Sequence, residues 1–263
     1  MKSGEIVANK YLLKALLGAG GMGEVWSAIH TSTDRDFAIK FMHAHVASPE
    51  MTARFAREAK ASARINHPNI IDVFDVGQTE DGHLYLVMEM LDGVPLADAF
   101  YASPPLNVRE FLALILDATK ALAAAHSVGI FHRDVKPANI FLHRERGTGM
   151  SFAKVLDFGI SKFSANDDSL ATKTGSVLGS PRYMSPEQAR SAAGADHRAD
   201  IWALGVIMFE GLTGFWPHDG DSFSSLVIAI ATSPPRDINV VVPNLPAGLR
   251  SLVRDCLAPM EQR

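Results

Sequence analysis

The sequence is nearly without cysteine. One thiol in 263 residues, Cys256, excludes an internal disulfide framework and any all-cysteine metal site. A dominant charge is also missing: 25 Lys and Arg stand against 29 Asp and Glu, a formal net charge of −4. Bulk nucleic-acid binding normally needs a basic excess or a basic face, so no nucleic-acid partner is expected. Long apolar runs are absent too. The longest, IWALGVIMF at 201–209, is about half of what spans a bilayer and reads as a buried core helix. The opening MKSGEIVANKYLLKALLG carries scattered charges and no apolar block of signal-peptide length. There is no internal repeat and no low-complexity tract. These absences lead us to expect a soluble, cytoplasmic segment that makes no membrane contact.

What is present describes an ordinary globular chain, 47% hydrophobic and 21% charged, with enough length to bury a substantial core. The first hundred residues read as short strands: YLLKALLG and EVWSAIH around a glycine-rich loop, DFAIKFM, then IIDVFDVGQ and HLYLVMEML across the hairpin signal TEDGH. One helical pattern, SPEMTARFAREAKASARI, interrupts them, with Ser48 and Pro49 placed as its start. From about residue 93 helices and loops take over. NVREFLALILDATKALAAAHSVG has the 3.6 period and ends at a glycine, and short strands follow at IFL (140–142) and KVLDFG. Residues 160–187 are rich in Ser and Thr without periodicity, and a loop of that length in a compact domain is usually functional or mobile. The remainder reads as helices broken by GFWPHDGD and SPPRDINVVVPNLPAG.

LGAGGMGEVW (17–26) places four glycines in six positions between two apolar segments. Glycine weakens a strand, so either the backbone turns tightly or something approaches it closely. The pattern G-x-G-x-x-G-x-V uses Gly18, Gly20, Gly23 and Val25. A dinucleotide site would continue into a helix, and a Walker loop would end in Gly-Lys-Ser/Thr; here Glu24 and a second strand follow. A hairpin closing over phosphates fits better, the alternative being a flexible tip with no ligand. Lys40, in AIK, ends an apolar strand. Alone it reads as a surface lysine with a snorkelling stem; if the following helix packs on the sheet, Glu58 can pair with it and hold its ammonium toward phosphate oxygens, a salt bridge with no other role being the equal alternative.

HRDVKPANI (132–140) sets Asp134, Lys136 and Asn139 within six residues of loop. Asp134 suits a proton acceptor for an attacking hydroxyl, and Lys136 suits charge neutralisation on a transferring group. Asn139 offers a hard carbonyl oxygen to Mg²⁺, and Asp157, in DFG at a strand end, offers a second oxygen ligand. Each string alone is as often structural; their order and separations together are not.

In this order, G-x-G-x-x-G-x-V, A-I-K, H-R-D-x-K-x-x-N, D-F-G and a P-E element resemble a protein kinase domain. GAGGMGEVW, HRDVKPANI and SPRYMSPEQ resemble most the bacterial eukaryote-like serine/threonine kinases. The resemblance covers essentially the whole chain. It implies a two-lobed α+β fold: an antiparallel β lobe with one main helix over about 1–90, a hinge over about 89–93, and a mostly helical lobe over about 93–263. ATP and Mg²⁺, with Mn²⁺ as a substitute, are expected in the cleft. By motif position, Lys40 contacts the α- and β-phosphates and pairs with Glu58, Asp134 is the catalytic base, and Lys136 stands beside the γ-phosphate. Asn139 and Asp157 hold the metal. Met88 lines the back of the adenine pocket, the backbone of Glu89 and Leu91 meets the adenine edge, and Val25, Ala38 and Phe141 sandwich the ring.

Lys136 two residues after the base resembles the serine/threonine class. Ser180 and Ser185 depart mildly from the threonine and alanine usual at their positions, and Ala138 gives no support to a preference for basic substrates. Arg133 before Asp134 resembles kinases switched on by loop phosphorylation, for which Thr172 and Thr174 are the expected sites, with Arg133, Lys162 and Arg54 placed to receive the phosphate. Protein substrates with Ser or Thr acceptors follow, and a homodimer for autophosphorylation is a further expectation. Asp200 is expected to brace the catalytic loop, and Glu187 to pair with Arg263; because Arg263 ends the sequence, a fold cut short of its closing helix, within a longer membrane-anchored protein, is the corresponding expectation. The alternatives are a pseudokinase scaffold, whose hallmark would be loss of Lys40, Asp134, Asn139 or Asp157, and a small-molecule kinase, which lacks the long loop ending in SPRYMSPEQ.

Overall fold

The computed structural model describes residues 1–20, 23–42, 55, 59, 64–102, 106–145, 147–158, 181–191 and 195–263. Arg54, Glu58, Lys162, Thr172, Thr174 and Ser180 lie outside the described residues.

Six antiparallel strands form the first sheet: β1 (Ile6–Val7), β2 (Tyr11–Gly20), β3 (Gly23–His30), β4 (Asp36–Met42), β5 (Val73–Gln78) and β6 (Leu84–Glu89), in the order β1-β2-β3-β4-β6-β5. Side chains alternate across a strand, and that alternation divides this sheet in two. Phe37, Ile39 and Phe41 of β4 join Tyr85 and Val87 of β6 in a cluster on one face. Met42, Leu84 and Leu86 turn to the other, where the helical residues Phe55 and Ala59 cover them. Ala38 and Met88 share that second face nearer the cleft. Lys40, two residues from both Ala38 and Met42, is carried to it as well and is buried.

β6 leads through residues 90–92 into β7 (Gly93–Pro95), the first strand of a small antiparallel sheet with β8 (Ile140–Arg144) and β9 (Ser151–Val155). An isolated parallel bridge between Ile70 and Val155 ties the first lobe to β9. Helix α1 (Leu96–Ala99) is short. Helix α2 (Val108–Ser127) opens on a capping box of Asn107 and Glu110, and its stripe from Phe111 to Ala125 enters the large core. Helices α3 (Pro186–Arg190), α4 (Arg198–Thr213), α5 (Phe223–Thr232), α6 (Ile238–Val241) and α7 (Ala247–Cys256) follow, with short 3₁₀ turns at Pro137–Asn139, Pro181–Tyr183 and Met260–Gln262. Helix α4 is buried on nearly every side from Ala199 to Glu210; that explains the apolar run at 201–209 and makes α4 the axis of the larger lobe. It packs so closely on α2 that a Cβ on Gly211 would stand 2.4 Å from the Phe111 ring.

The strand expected over KVLDFG starts earlier, at Ser151, and stops at Val155. Asp157 has a φ of 59°, and a strand cannot continue through that left-handed geometry.

Candidate active site

The catalytic-loop backbone is held from beneath by one buried carboxylate. Asp200, 1% exposed, accepts from the N–H of His132 at 2.9 Å and of Arg133 at 2.7 Å, and His126 Nε2 lies 2.8 Å from Oδ2. His132 is fully buried. Its Nδ1 accepts from Asp134 N at 3.3 Å, so Nε2 carries the proton and donates to Leu156 O at 2.7 Å. This links the loop to the residue before Asp157. Phe158 packs on the same imidazole, ring centroids 4.9 Å apart. Arg133 and Asp157 both occupy left-handed backbone, φ 65° and 59°, a strain costing about 1–3 kcal/mol at a non-glycine residue and typical of functional sites.

On this base the predicted side chains converge. Lys136 Nζ donates to Asp134 Oδ2 at 2.7 Å. Asn139 Nδ2 donates to Asp134 O at 2.8 Å and to Oδ2 at 3.2 Å. Across the cleft Lys40 Nζ donates to Asp157 Oδ2 at 2.6 Å. Burial alone would raise the Asp157 carboxyl, but the charge and hydrogen bond of Lys40, with His132 and Lys136 near, pull it below the ordinary carboxylate range. Asp157 is therefore ionised at neutral pH. Its pairing with Lys40 is an addition to the sequence reading, which had given Lys40 only Glu58.

The adenine-side residues separate into two groups. Ala38 and Met88 form one apolar cluster with Ile71, against which Val25, Met90, Leu91 and Leu156 pack. Phe141 stands apart on β8, its ring edge 3.3 Å from where a Cβ on Gly93 would be. The Glu89 N–H donates to Asp72 O at 3.0 Å, so a backbone contact from Glu89 to a ligand must use its carbonyl. The glycines divide as well. Among the described residues a Cβ on Gly18 or Gly20 meets nothing within 4 Å, whereas on Gly23, at φ 150°, it would lie 1.8 Å from Phe41 O. Gly18 and Gly20 thus border open space that a phosphate can enter, and Gly23 is required by the neighbouring strand.

The donor set fits Mg²⁺. Asn139 commits its amide nitrogen to Asp134, which turns its carbonyl oxygen to other uses, and Asp157 is anionic; both are hard oxygens. Among the described residues no group of three or more His, Cys, Asp or Glu could hold a metal, and Mg²⁺ bound with a nucleotide commonly takes one or two carboxylates plus phosphate oxygens.

Sequence reading missed several supports. Lys154, 6% exposed on β9, forms an ion pair with Glu89 and donates to Ile70 O at 3.4 Å. Asn69 Nδ2 donates to Ala153 O at 2.8 Å. Gln188, the capping-box partner of Ser185 on α3, donates to Arg133 O at 2.9 Å. A lysine inside the apolar strand SFAKV was the available signal for Lys154, the same signal that singled out Lys40. Glu187 pairs with Arg263 at 2.6 and 2.8 Å, as expected, with the Arg263 side chain fully buried.

A strand lobe with a glycine hairpin over a cleft, and a helical lobe presenting a braced Asp-Lys-Asn loop beneath it, define a phosphoryl-transfer enzyme of the protein kinase class. The sequence profile described as the protein kinase domain matches residues 11–263, and the chain belongs to that family. Similar proteins include the serine/threonine-protein kinase pkn3 of Myxococcus xanthus, 44% identical over 83% of this chain and 40% of its own length. PknB of Mycobacterium tuberculosis is 39% identical over 96% of this chain and 40% of its own. The chain thus spans about two fifths of the length of these curated relatives. Among solved structures, a double mutant of the Mycobacterium tuberculosis PknI kinase domain matches with a TM-score of 0.76 and 29% identity, covering all of this chain and 93% of that one.

Proposed function

We propose that this chain transfers the γ-phosphoryl group of ATP to Ser and Thr hydroxyls of proteins, its own Thr172 and Thr174 among them. The observation that carries the reading is the convergence of Lys136 and Asn139 on the Asp134 carboxylate, facing the Lys40–Asp157 pair. In the reaction the acceptor oxygen forms a bond to the γ-phosphorus, the bond to the β–γ bridging oxygen breaks, and the hydroxyl proton passes to Asp134. Lys136 holds the Asp134 carboxylate in place through its hydrogen bond and offsets charge on the moving group. Gly18 and Gly20 admit the phosphates to backbone N–H groups, Lys40 holds them, and Val25, Ala38, Met88 and Leu91 enclose the adenine. Phe141 completes that enclosure from the β8 side, and Leu91 and the Glu89 carbonyl supply the backbone contacts. Asn139 and Asp157 would hold Mg²⁺, or Mn²⁺ in its place, which would supply positive charge against the phosphates.

Glu58 remains the proposed second partner of Lys40. Phosphate on Thr172 or Thr174 is received by Arg133, whose guanidinium lies 5.8 Å over the Phe131 ring and whose Nε has no hydrogen-bond partner among the described residues. Self-phosphorylation between two copies would make its rate rise with protein concentration.

Intact-mass spectrometry after incubation of dephosphorylated protein with Mg²⁺-ATP tests the reading. The parent chain gains steps of about 80 Da per phosphate, mapping to Thr172 or Thr174, and Asp134→Asn gains none. With a protein acceptor kcat in that variant falls about 10²–10⁴-fold. No added mass on the parent would overturn the proposal.

A further inference from the structure

The peptide group joining Arg133 to Asp134 is gripped on both sides. Asp134 N donates to His132 Nδ1 at 3.3 Å, and Arg133 O accepts from Gln188 Nε2 at 2.9 Å. Among the described residues no other group donates to that carbonyl. The preceding peptide is fixed as well, since Arg133 N donates to Asp200 Oδ1 at 2.7 Å. Between the two, Arg133 holds left-handed backbone at φ 65°, a conformation that persists only where its surroundings over-determine it. Gln188 supplies one of those determinants from 55 positions further along the chain.

Both ends of the Gln188 amide are committed. Its Oε1 accepts from Ser185 N at 3.0 Å and closes the capping box that starts α3. That half of the box asks only for an acceptor, and Glu serves it as well as Gln. The nitrogen end differs, because an amide donates there and a carboxylate cannot. Donation to Arg133 O is thus what an amide adds at this position. Its effect falls on the next residue. Lys136 and Asn139 fix the Asp134 carboxylate at 2.7 and 3.2 Å, and the Gln188 bond fixes the peptide plane from which the Asp134 Cα departs.

We propose that Gln188 is a positioning residue for the Asp134 base, acting through the Arg133 carbonyl and touching no substrate. The inference rests on Asp134 being the base of a protein kinase.

The test compares the full chain with three variants, each brought to the same phosphorylation state by intact mass and assayed with Mg²⁺-ATP and a protein acceptor. Gln188→Glu keeps the cap and loses the donor. Its kcat should fall about tenfold, the scale of a buried acceptor left without its donor, at an unchanged KM for ATP and an unchanged Tm. Gln188→Met adds no charge and should lose kcat to a similar extent, with a lower Tm because the capping bond goes too. Ser185→Ala removes the cap hydroxyl and spares the Arg133 contact, so Tm should fall by about 2–4 °C at parental kcat. Parental kcat in Gln188→Glu, a loss confined to the charged variant, or an equal loss in Ser185→Ala would overturn this inference while transfer by the parent persists. Absence of transfer by the parent to any acceptor, itself included, would overturn the kinase reading, and this one with it.

Discussion

At the scale of single residues, the three loop glycines are not equivalent. Gly18→Ala introduces a methyl into open space, so the fold should be untouched while the phosphates lose backbone contact. Loss of about one hydrogen bond, ~1 kcal/mol, predicts a KM for ATP raised about fivefold at an unchanged Tm. Gly23→Ala would drive a Cβ into Phe41 O, 1.8 Å away, and should lower Tm. A thermal melt with steady-state kinetics on both variants separates the two roles; equal effects on Tm would refute the distinction.

At the scale of elements, α4 carries two tests. Gly211 lets α2 and α4 touch, and Gly211→Ala overpacks the Phe111 contact; the expected cost is about 1–3 kcal/mol by denaturant unfolding, with kcat preserved in the folded fraction. Trp202 of α4 also stacks on His218, centroids 6.0 Å apart, and His218 Nε2 lies 3.1 Å from Ser233 O. Burial holds this imidazole's pKa below its ordinary 6.5; Arg236 adds to the shift, and Ser233 and Asp219 oppose it. The unfolded chain therefore takes up the proton first, so stability present at pH 7.5 drains away as pH falls through about 6.5. In His218→Gln the loss of Tm between pH 7.5 and 5.5 should be smaller than in the parent. Parallel curves would sink the assignment.

At the scale of the whole molecule, two buried pairs join distant parts of the chain. Lys154–Glu89 ties β9 to the end of β6 where the lobes meet, and Arg263–Glu187 fastens the last residue to α3. Removing one partner of a buried pair strands the other charge, at about 3–5 kcal/mol, whereas replacing both with apolar groups is often near neutral. Lys154→Met should be strongly destabilising in urea titrations, and Lys154→Met with Glu89→Leu should recover most of the loss. A double variant as unstable as the single one would show that packing, and not the stranded charge, sets the cost. Arg263→Ala should likewise lower Tm, since its side chain is fully buried over the Trp202 ring at 5.1 Å.

The sequence by itself determined the parts whose chemistry is local: the glycine hairpin, the alternation that sends Lys40 to the cleft face with Ala38, the helical stripe of α2, and the Asp134-Lys136-Asn139 loop. Such features show because residues in contact are neighbours or recur at a strand or helix period. Asp200, Glu187 and Arg263 became legible only through resemblance to a family. What only the tertiary structure decided is long-range and unperiodic: Asp157 as a partner of Lys40 from 117 positions away, the buried Lys154–Glu89 pair, Gln188 holding the Arg133 carbonyl, and Phe141 standing outside the Ala38–Met88 cluster. A lysine in a strand looks the same whether its ammonium meets water, a phosphate or a buried carboxylate. Only the packing of one lobe on the other sets the desolvation that makes the choice.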